Sequence, residues 1–409
     1  MKKVGIVLVG IVILVGVIYC LPKEEREVLL EEKESINTSL AFYLEQEDGN
    51  YIESTSLPQT GYTLNTEKSV CTNNTTPVWK ENKLYLNNLK DKGTSCYLYF
   101  NIYKPTIPEQ ILKNYSTQLT RTDFNVTVTE TTTGTIYYED TSKGRTYYFA
   151  GNPTDNWVQF GGFYWRIIRI NEDGTIRMIY QGTAANATGE GTQIGTSAFN
   201  STYTDNMYVG YMYTSGSVHG LGTDSTIKGV LDTWYQNNLS SYSSNIDGNA
   251  GFCGDREPST SSSSSNGQGG TESTQTYYGA YIRLITNKAP TFECTNSSDL
   301  YTVSGSSNGN KSLQYPIGLI SADEVAYAGG VYGKQYNNYL YTNNSYCTMT
   351  PSFFNNGSSV FPVDSSGYLD YNYFTNKEYG VRPVINLKAD VTLTGSGTST
   401  DPYVVEGAA

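Results

Sequence analysis

The run Val4–Leu21, "VGIVLVGIVILVGVIYCL", carries no charge across 18 residues. As a helix rising about 1.5 Å per residue it spans about 27 Å, enough to cross most of a hydrocarbon core. No small-residue A-x-A arrangement precedes a cut in "VIYCLP". Tyr19 stands where a lipoprotein signal places Gly or Ala before its cysteine, here Cys20, and no acidic residue opens the apolar stretch as a type IV prepilin requires. The reading is an uncleaved signal anchor over residues 1–22. Lys2 and Lys3 hold the N-terminus in the cytoplasm and send everything after Pro22 outward, so the rest is expected to fold as an extracellular ectodomain.

A second signal competes for attention. "LPQTG" at Leu57–Gly61 fits the LPxTG pattern that sortases cut. Such a signal works only with a hydrophobic segment and a basic tail after it, and here polar "YTLNTEKSV" follows. Pro58 and Gly61 are read instead as bending the chain between two short strands, "NYIES" and "YTLN".

The formal charge of −12, with 16% charged residues, argues against nucleic acid, which needs a basic stripe to displace counterions. It argues equally against docking on anionic headgroups. The 37 Tyr and 40 Gly among many Ser, Thr and Asn resemble the mixture of recognition surfaces. A polar, strand-rich secreted protein from an AT-rich genome has the same composition, and that plainer reading is preferred. Six cysteines suit an oxidising compartment. Cys20 lies in the span, Cys71 and Cys96 flank a two-strand segment, and Cys253 is paired with Cys294, leaving Cys347 free. No C-x-x-C pair and a single histidine, His219, give no zinc site, and no cofactor or metal is expected.

The domains follow from texture. "KEEREVLLEEKESINTSLAFYLEQ", with Val28, Leu29, Ile36 and Leu40, reads as a helical stalk over 23–47. Short β-prone runs such as "KLYLNNL" and "CYLYFNIY" make a small β domain over 48–104. Residues 105–122, with Pro105 and Pro108, form a linker in which a short helix can follow Pro108. A large domain spans 123–406. Within it Phe163–Ile170 and Thr175–Tyr180 form a hairpin closed by Asn171–Gly174. Ile227, Val230, Leu231 and Trp234 mark an amphipathic helix, and Ser321 with Glu324 has capping-box spacing for a second, short one reaching to Gly329. The low-complexity stretch 259–276 is a loop inside the domain, and "YGVRPVINL" and "DPYVV" are the last strands.

"GFYWRIIRI", "GVLDTWYQNNL", "FCGDR", "YPIGLISADEVAYAGG", "CTMTPSFF" and "YGVRPVINL" occur in that order. The series resembles a large family of membrane-anchored surface proteins of gut Firmicutes and related Bacilli, over nearly the whole chain. Members commonly carry Trp where Cys347 stands, which implies an unpaired thiol here. The W-R hairpin, the Trp-bearing helix, the S-A-x-E helix and the R-P strand are similar to a domain related to C-type-lectin-like and formylglycine-generating-enzyme-like folds. The resemblance implies an α+β ectodomain with a twisted antiparallel sheet, two short helices and long loops. It brings no activity, and neither the E-P-N nor the W-N-D motif of calcium-dependent lectins is present.

Catalysis has one candidate. Sortases use His, Cys and Arg in chain order, and His219, Cys347 and Arg382 offer that order. "NNSYCTMT" lacks the T-L-x-T-C signature, and "HGLG" lacks the S-H-G-C partner of peptidoglycan transpeptidases, so the chain is read as no enzyme. Arg382 is expected to pair with a carboxylate or carbonyls near the core edge, with Asp323 or Glu324 as partner, and Arg166 likewise. Trp157, Trp165 and Trp234 are expected in the core, and "NEDG" closes a hairpin without metal. The expected function is recognition or adhesion at the cell surface. A glycan or protein ligand would bind through the Tyr- and Asn-rich loops Asn200–Tyr213 and Tyr336–Tyr346. A structural or assembly role in the envelope is the alternative, and a cysteine-dependent envelope enzyme a weaker third.

Overall fold

A computed structural model of the protein describes residues 37–89, 92–260 and 275–409. The expected anchor, Cys20, the stalk up to residue 36 and most of the low-complexity loop lie outside these residues. Among the described residues no helix is long and apolar enough to cross a membrane. The chain divides after Lys104, and each unit has its own apolar cluster.

In the smaller unit, β1 (Asn37–Glu45) overturns the end of the expected helical stalk. Leu40, Phe42 and Leu44 alternate, a period of two that suits a half-buried strand better than a helix. β1 pairs antiparallel with β2 (Tyr51–Ser54) and parallel with the long β7 (Lys92–Ile102). β3 (Tyr62–Leu64) and β4 (Val70–Cys71) line the other edge of β7. The hairpin β5–β6 (Thr76–Lys80, Lys83–Asn87) lays Trp79, Leu84 and Leu86 against Phe42, Leu98 and Phe100. A disulfide joins Cys71 to its register partner Cys96. Leu57–Gly61 links β2 to β3, with Pro58 buried and Leu57 packed on the core.

The larger unit begins at Pro105, and the expected linker belongs to it. α1 (Ile107–Leu112) places Ile107 and Ile111, one turn apart, fully in the core, while Glu109 folds back to accept the Thr106 N–H at 2.8 Å. A mixed sheet follows, with β8 (Thr117–Leu119), β9 (Thr135–Thr141), β10 (Gly144–Tyr148), β11 (Trp157–Phe160), β12 (Phe163–Ile170) and β13 (Ile176–Gly182). It is not purely antiparallel, because β8 runs parallel to β9 and Tyr403–Val405 parallel to β11. The hairpin β12–β13 has Ile167 opposite Met178 and Trp165 opposite Tyr180. Gly174, at φ +83°, and Asp173, capping Thr175, close its turn.

α2 (Thr226–Asn238) is capped by Ser225 and buries Ile227, Leu231 and Tyr235. Trp234 is half-buried against Phe163, Trp165 and Tyr180. α3 (Ala322–Tyr327) carries the expected box: Ser321 Oγ accepts from Glu324 N, and Glu324 Oε2 from Ser321 N. "YGVRPVINL" is two strands rather than one, Glu378–Gly380 and Val384–Leu387. Between them Pro383 has no N–H to give, and the Arg382 side chain enters the core.

Candidate functional site

β12 and β13 place Arg169 directly opposite Arg177. Like charges across a ladder repel, and the core beside them supplies the remedy. Glu324 of α3 lies with Oε1 2.5 Å from Arg177 Nε and 3.2 Å from Arg169 Nε. Arg177 also donates to the carbonyls of Gly251 and Leu319. Burial pushes the Glu324 carboxyl up, yet Arg177 and Arg169 outweigh it and hold it below the usual carboxylate range. Burial draws Arg177 down against the pull of Glu324.

The neighbouring Asp323 takes a bidentate grip from Arg283 at 2.7 and 2.7 Å and accepts the Thr291 N–H. Arg283 also reaches Asp255 at 2.6 Å. Burial raises the Asp255 carboxyl despite that contact. Asp255 sits at φ +46°, a left-handed conformation that Asp tolerates better than most residues. Two residues before it, Cys253 is joined to Cys294.

These groups enclose a cavity of about 90 Å³. Lys143, Arg169, Arg177 and Arg283 line it with Glu172, Glu293, Asp255, Asp323 and Glu324, and the disulfide forms part of the wall. The volume holds about three waters or one small polar group. At the rim Glu293 accepts the Ser142 N–H, Glu172 accepts from Thr141, and Lys143 is exposed with no ion pair among the described residues. Inside, Arg169 Nη1 has no aligned acceptor, since Glu172 Oε2 stands 3.8 Å away.

Four of the six segments that carry the resemblance converge on this wall. Arg169 comes from "GFYWRIIRI", Cys253 and Asp255 from "FCGDR", Ser321, Asp323 and Glu324 from "LISADE", and Thr350 from "CTMT". The sequence offers Asp323 or Glu324 as partner of Arg382 and gives Arg169, Arg177, Arg283 and Asp255 no site role. Its one available signal is the adjacent charges of "FCGDR" and "LISADE" within a chain that is only 16% charged; Arg177 and Arg283 lie outside these motifs.

The other expectations resolve as follows. Arg382 is fully buried but bonds no carboxylate: it donates to the carbonyls of Tyr180 and Leu340 and to Gln181 Oε1, beneath the Tyr346 ring. Arg166 donates to Asn156 Oδ1 and Pro153 O and lies over Trp157. Among the described residues Cys347 is the free cysteine, buried within Tyr346–Phe354, and burial pushes its thiol up to about 12. His219 contacts Asp299, Glu257 and Asn296 instead, so His219, Cys347 and Arg382 are not assembled into one site.

The two loops expected to bind ligand divide their tyrosines: Tyr203, Tyr208, Tyr213 and Tyr341 stay partly exposed, while the others turn inward. Tyr336, Tyr339 and Tyr346 are buried, as is Tyr211, because their rings pack the core around Arg166, Arg382 and Tyr301. Trp157 and Trp165 are buried. Among the described residues, no cluster of three metal-ligating side chains occurs. Compared with family models, curated proteins and solved structures, the chain shows no match.

Proposed function

We propose that the chain is a membrane-anchored extracellular recognition or adhesion protein. Its larger unit, on a C-type-lectin-like frame, seats a small polar group of a glycan, peptidoglycan or protein ligand in the charge-lined cavity. The observation that carries this is the cavity wall itself, nine charged side chains around about 90 Å³. Well-packed apolar residues in place of buried ion pairs are commonly as stable or more stable, so stability alone does not account for such a wall. Converging charges around a small concavity are what fixes a polar ligand's orientation. The binding place therefore moves from the tyrosine loops to the mouth formed by Lys143, Glu172 and Glu293.

The test is the soluble chain from Asn37 to Ala409 on an array of glycan and peptidoglycan fragments, with and without calcium. Saturable binding that falls at least tenfold in Lys143→Glu, and not in the distant exposed Lys377→Glu, is the expected result. Binding indifferent to Lys143→Glu would remove the cavity from the reading, and a blank array would remove glycan and peptidoglycan as its ligands.

Envelope assembly is the second reading, favoured by one observation. The smaller unit exposes Ile52, Val70 and Tyr97, at 59%, 57% and 49%, which offers apolar contact to another surface component. Self-association in sedimentation that is abolished by Val70→Asp would support it.

A further inference from the structure

His219 is the one histidine of the chain, in the loop between Met212–Tyr213 and Thr223–Asp224. Its Nδ1 lies 3.0 Å from Asp299 Oδ1, somewhat off the line of an ideal hydrogen bond. Its Nε2 lies 3.2 Å from Asn296 Nδ2 and 3.2 Å from Glu257 Oε2. The first of these neighbours can only donate and the second can only accept. The Asn296 amide is held in that orientation, because its Oδ1 already accepts the Ser298 N–H at 2.9 Å. One ring nitrogen cannot serve both neighbours in one protonation state.

Neutral His219, with its proton on Nδ1 toward Asp299, offers an Nε2 lone pair to Asn296. Protonated His219 carries a hydrogen on Nε2 and must donate to Glu257. Asn296 Nδ2 then turns wholly to Glu257 Oε2, which it also reaches at 3.2 Å. We propose that His219 is a proton-operated latch that fastens its loop to Glu257 in acid and releases it to Asn296 in base.

The charged groups facing the ring are Asp299 and Glu257, which favour its protonation, and Arg256, which opposes it. Contact with Asp299 is the largest influence and outweighs burial, so the imidazole titrates above its ordinary value. Arg256 ties the same loop from the other side. Held by the fully buried Asp299 at 2.7 and 2.8 Å, it donates to the carbonyls of Met212 and Gly220. The loop thus has a permanent fastening through Arg256 and a switchable one through His219. Glu257 is two residues from Asp255, and Asn296 two from Cys294, so the latch's two partners lie in segments that adjoin the cavity wall. A raised folded value makes the latch's contribution full below the unfolded value near 6.5 and lost as pH rises through the folded one.

A lone histidine gives a single set of ring signals, which makes the test direct. In the chain from Asn37 to Ala409, labelled with ¹⁵N-histidine, the neutral ring should be the Nδ1–H tautomer. Its titration midpoint should lie above 6.5. Glu257→Gln should lower that midpoint and Asn296→Ser, which keeps a cap for Ser298, should raise it, each by about half a pH unit. Hydrogen exchange in the loop containing His219, taken relative to the intrinsic rate at each pH, should slow severalfold below the midpoint, and not in Glu257→Gln. Both contacting side chains are partly exposed, and a thermal melt checks that each variant is folded. An Nε2–H neutral tautomer, midpoints moving in the same direction, or exchange indifferent to pH would each overturn the latch.

Discussion

Glu324→Gln removes one charge and almost no volume, from a side chain that accepts from Arg169 and the Ser321 N–H and forms an ion pair with Arg177. Glu324 is buried, with Arg177 Nε at 2.5 Å, Arg169 Nε at 3.2 Å and the Ser321 N–H at 2.9 Å. A glutamine has one oxygen for these donors and would set its NH₂ against the others. Breaking a buried pair by removing one partner costs about 3–5 kcal/mol, because the other charge stays buried alone. Here two arginines, opposite each other in the ladder, are left. At about 2–4 °C per kcal/mol for a unit of a few hundred residues, the melting temperature should fall by about 10 °C at pH 7. The sign with pH follows from the folded carboxyl lying below its ordinary value. The stabilisation is present above the unfolded value near 4.3 and is lost as pH falls through the lower folded one. Thermal melts of the chain from Asn37 to Ala409, followed by circular dichroism from pH 3 to 8, should show the gap between variant and wild type closing in acid. A drop below about 3 °C at pH 7, or a gap unchanged at pH 3, would refute the coupling argued for this carboxylate.

Cys253→Ser with Cys294→Ser opens a link of sequence separation 41, worth about 4 kcal/mol in the chain-entropy account, so urea denaturation should move to a clearly lower midpoint. An unmoved midpoint would mean that the wall stands without the disulfide. Cys347, with its thiol pushed up to about 12, should resist labelling at pH 8 in the folded chain from Asn37 and react once per chain in denaturant. Native labelling would place it at the surface. Tyr346→Phe should cost about 1 kcal/mol, because its hydroxyl donates to Leu340 O at 3.0 Å, while Tyr339→Phe, whose hydroxyl has no partner among the described residues, should be neutral within about 0.5 kcal/mol. The reverse order in urea denaturation would contradict the placement of these rings.

Local chemistry was legible where a residue's job is done by neighbours in the chain. The Ser321–Glu324 box, the Asn171–Gly174 turn and the helix bearing Ile227, Leu231 and Trp234 need only short-range contacts, and each stands where its spacing puts it. The errors lie where tertiary packing decides. Leu40–Leu44 reads as part of a charged helix until β7 offers it a parallel partner across many residues, a pairing no local pattern announces. Ile107 and Ile111, framed by prolines, look like a junction, yet the single turn between them is enough to bury both. The burial of Tyr211, Tyr336, Tyr339 and Tyr346 is hidden from a local reading for a related reason. Their composition matches exposed recognition loops, but a ring has the same letter whether it meets a ligand or shields a buried guanidinium.

The buried arginines carry that point to function. Arg382 is neutralised by carbonyls, Arg166 by an amide oxygen, a carbonyl and the Trp157 ring, and Arg177 by Glu324. An arginine between apolar strand residues looks alike in all three, so the sequence could assign Glu324 to the wrong one. The assignment matters because carbonyls and rings are fixed by the fold, whereas carboxylates bring their own charge and pH dependence. Arg382 and Arg166 close their surroundings completely and leave nothing for a ligand to find. Arg256 is also paired with a carboxylate, that of Asp299, but among the described residues it is along Arg169, Arg177 and Arg283 that side-chain carboxylates surround a shared space, which Lys143 and Glu293 continue to an opening. A chain that satisfies two arginines internally, yet faces three more with carboxylates around a shared space, gives the reason for proposing that space as its binding place.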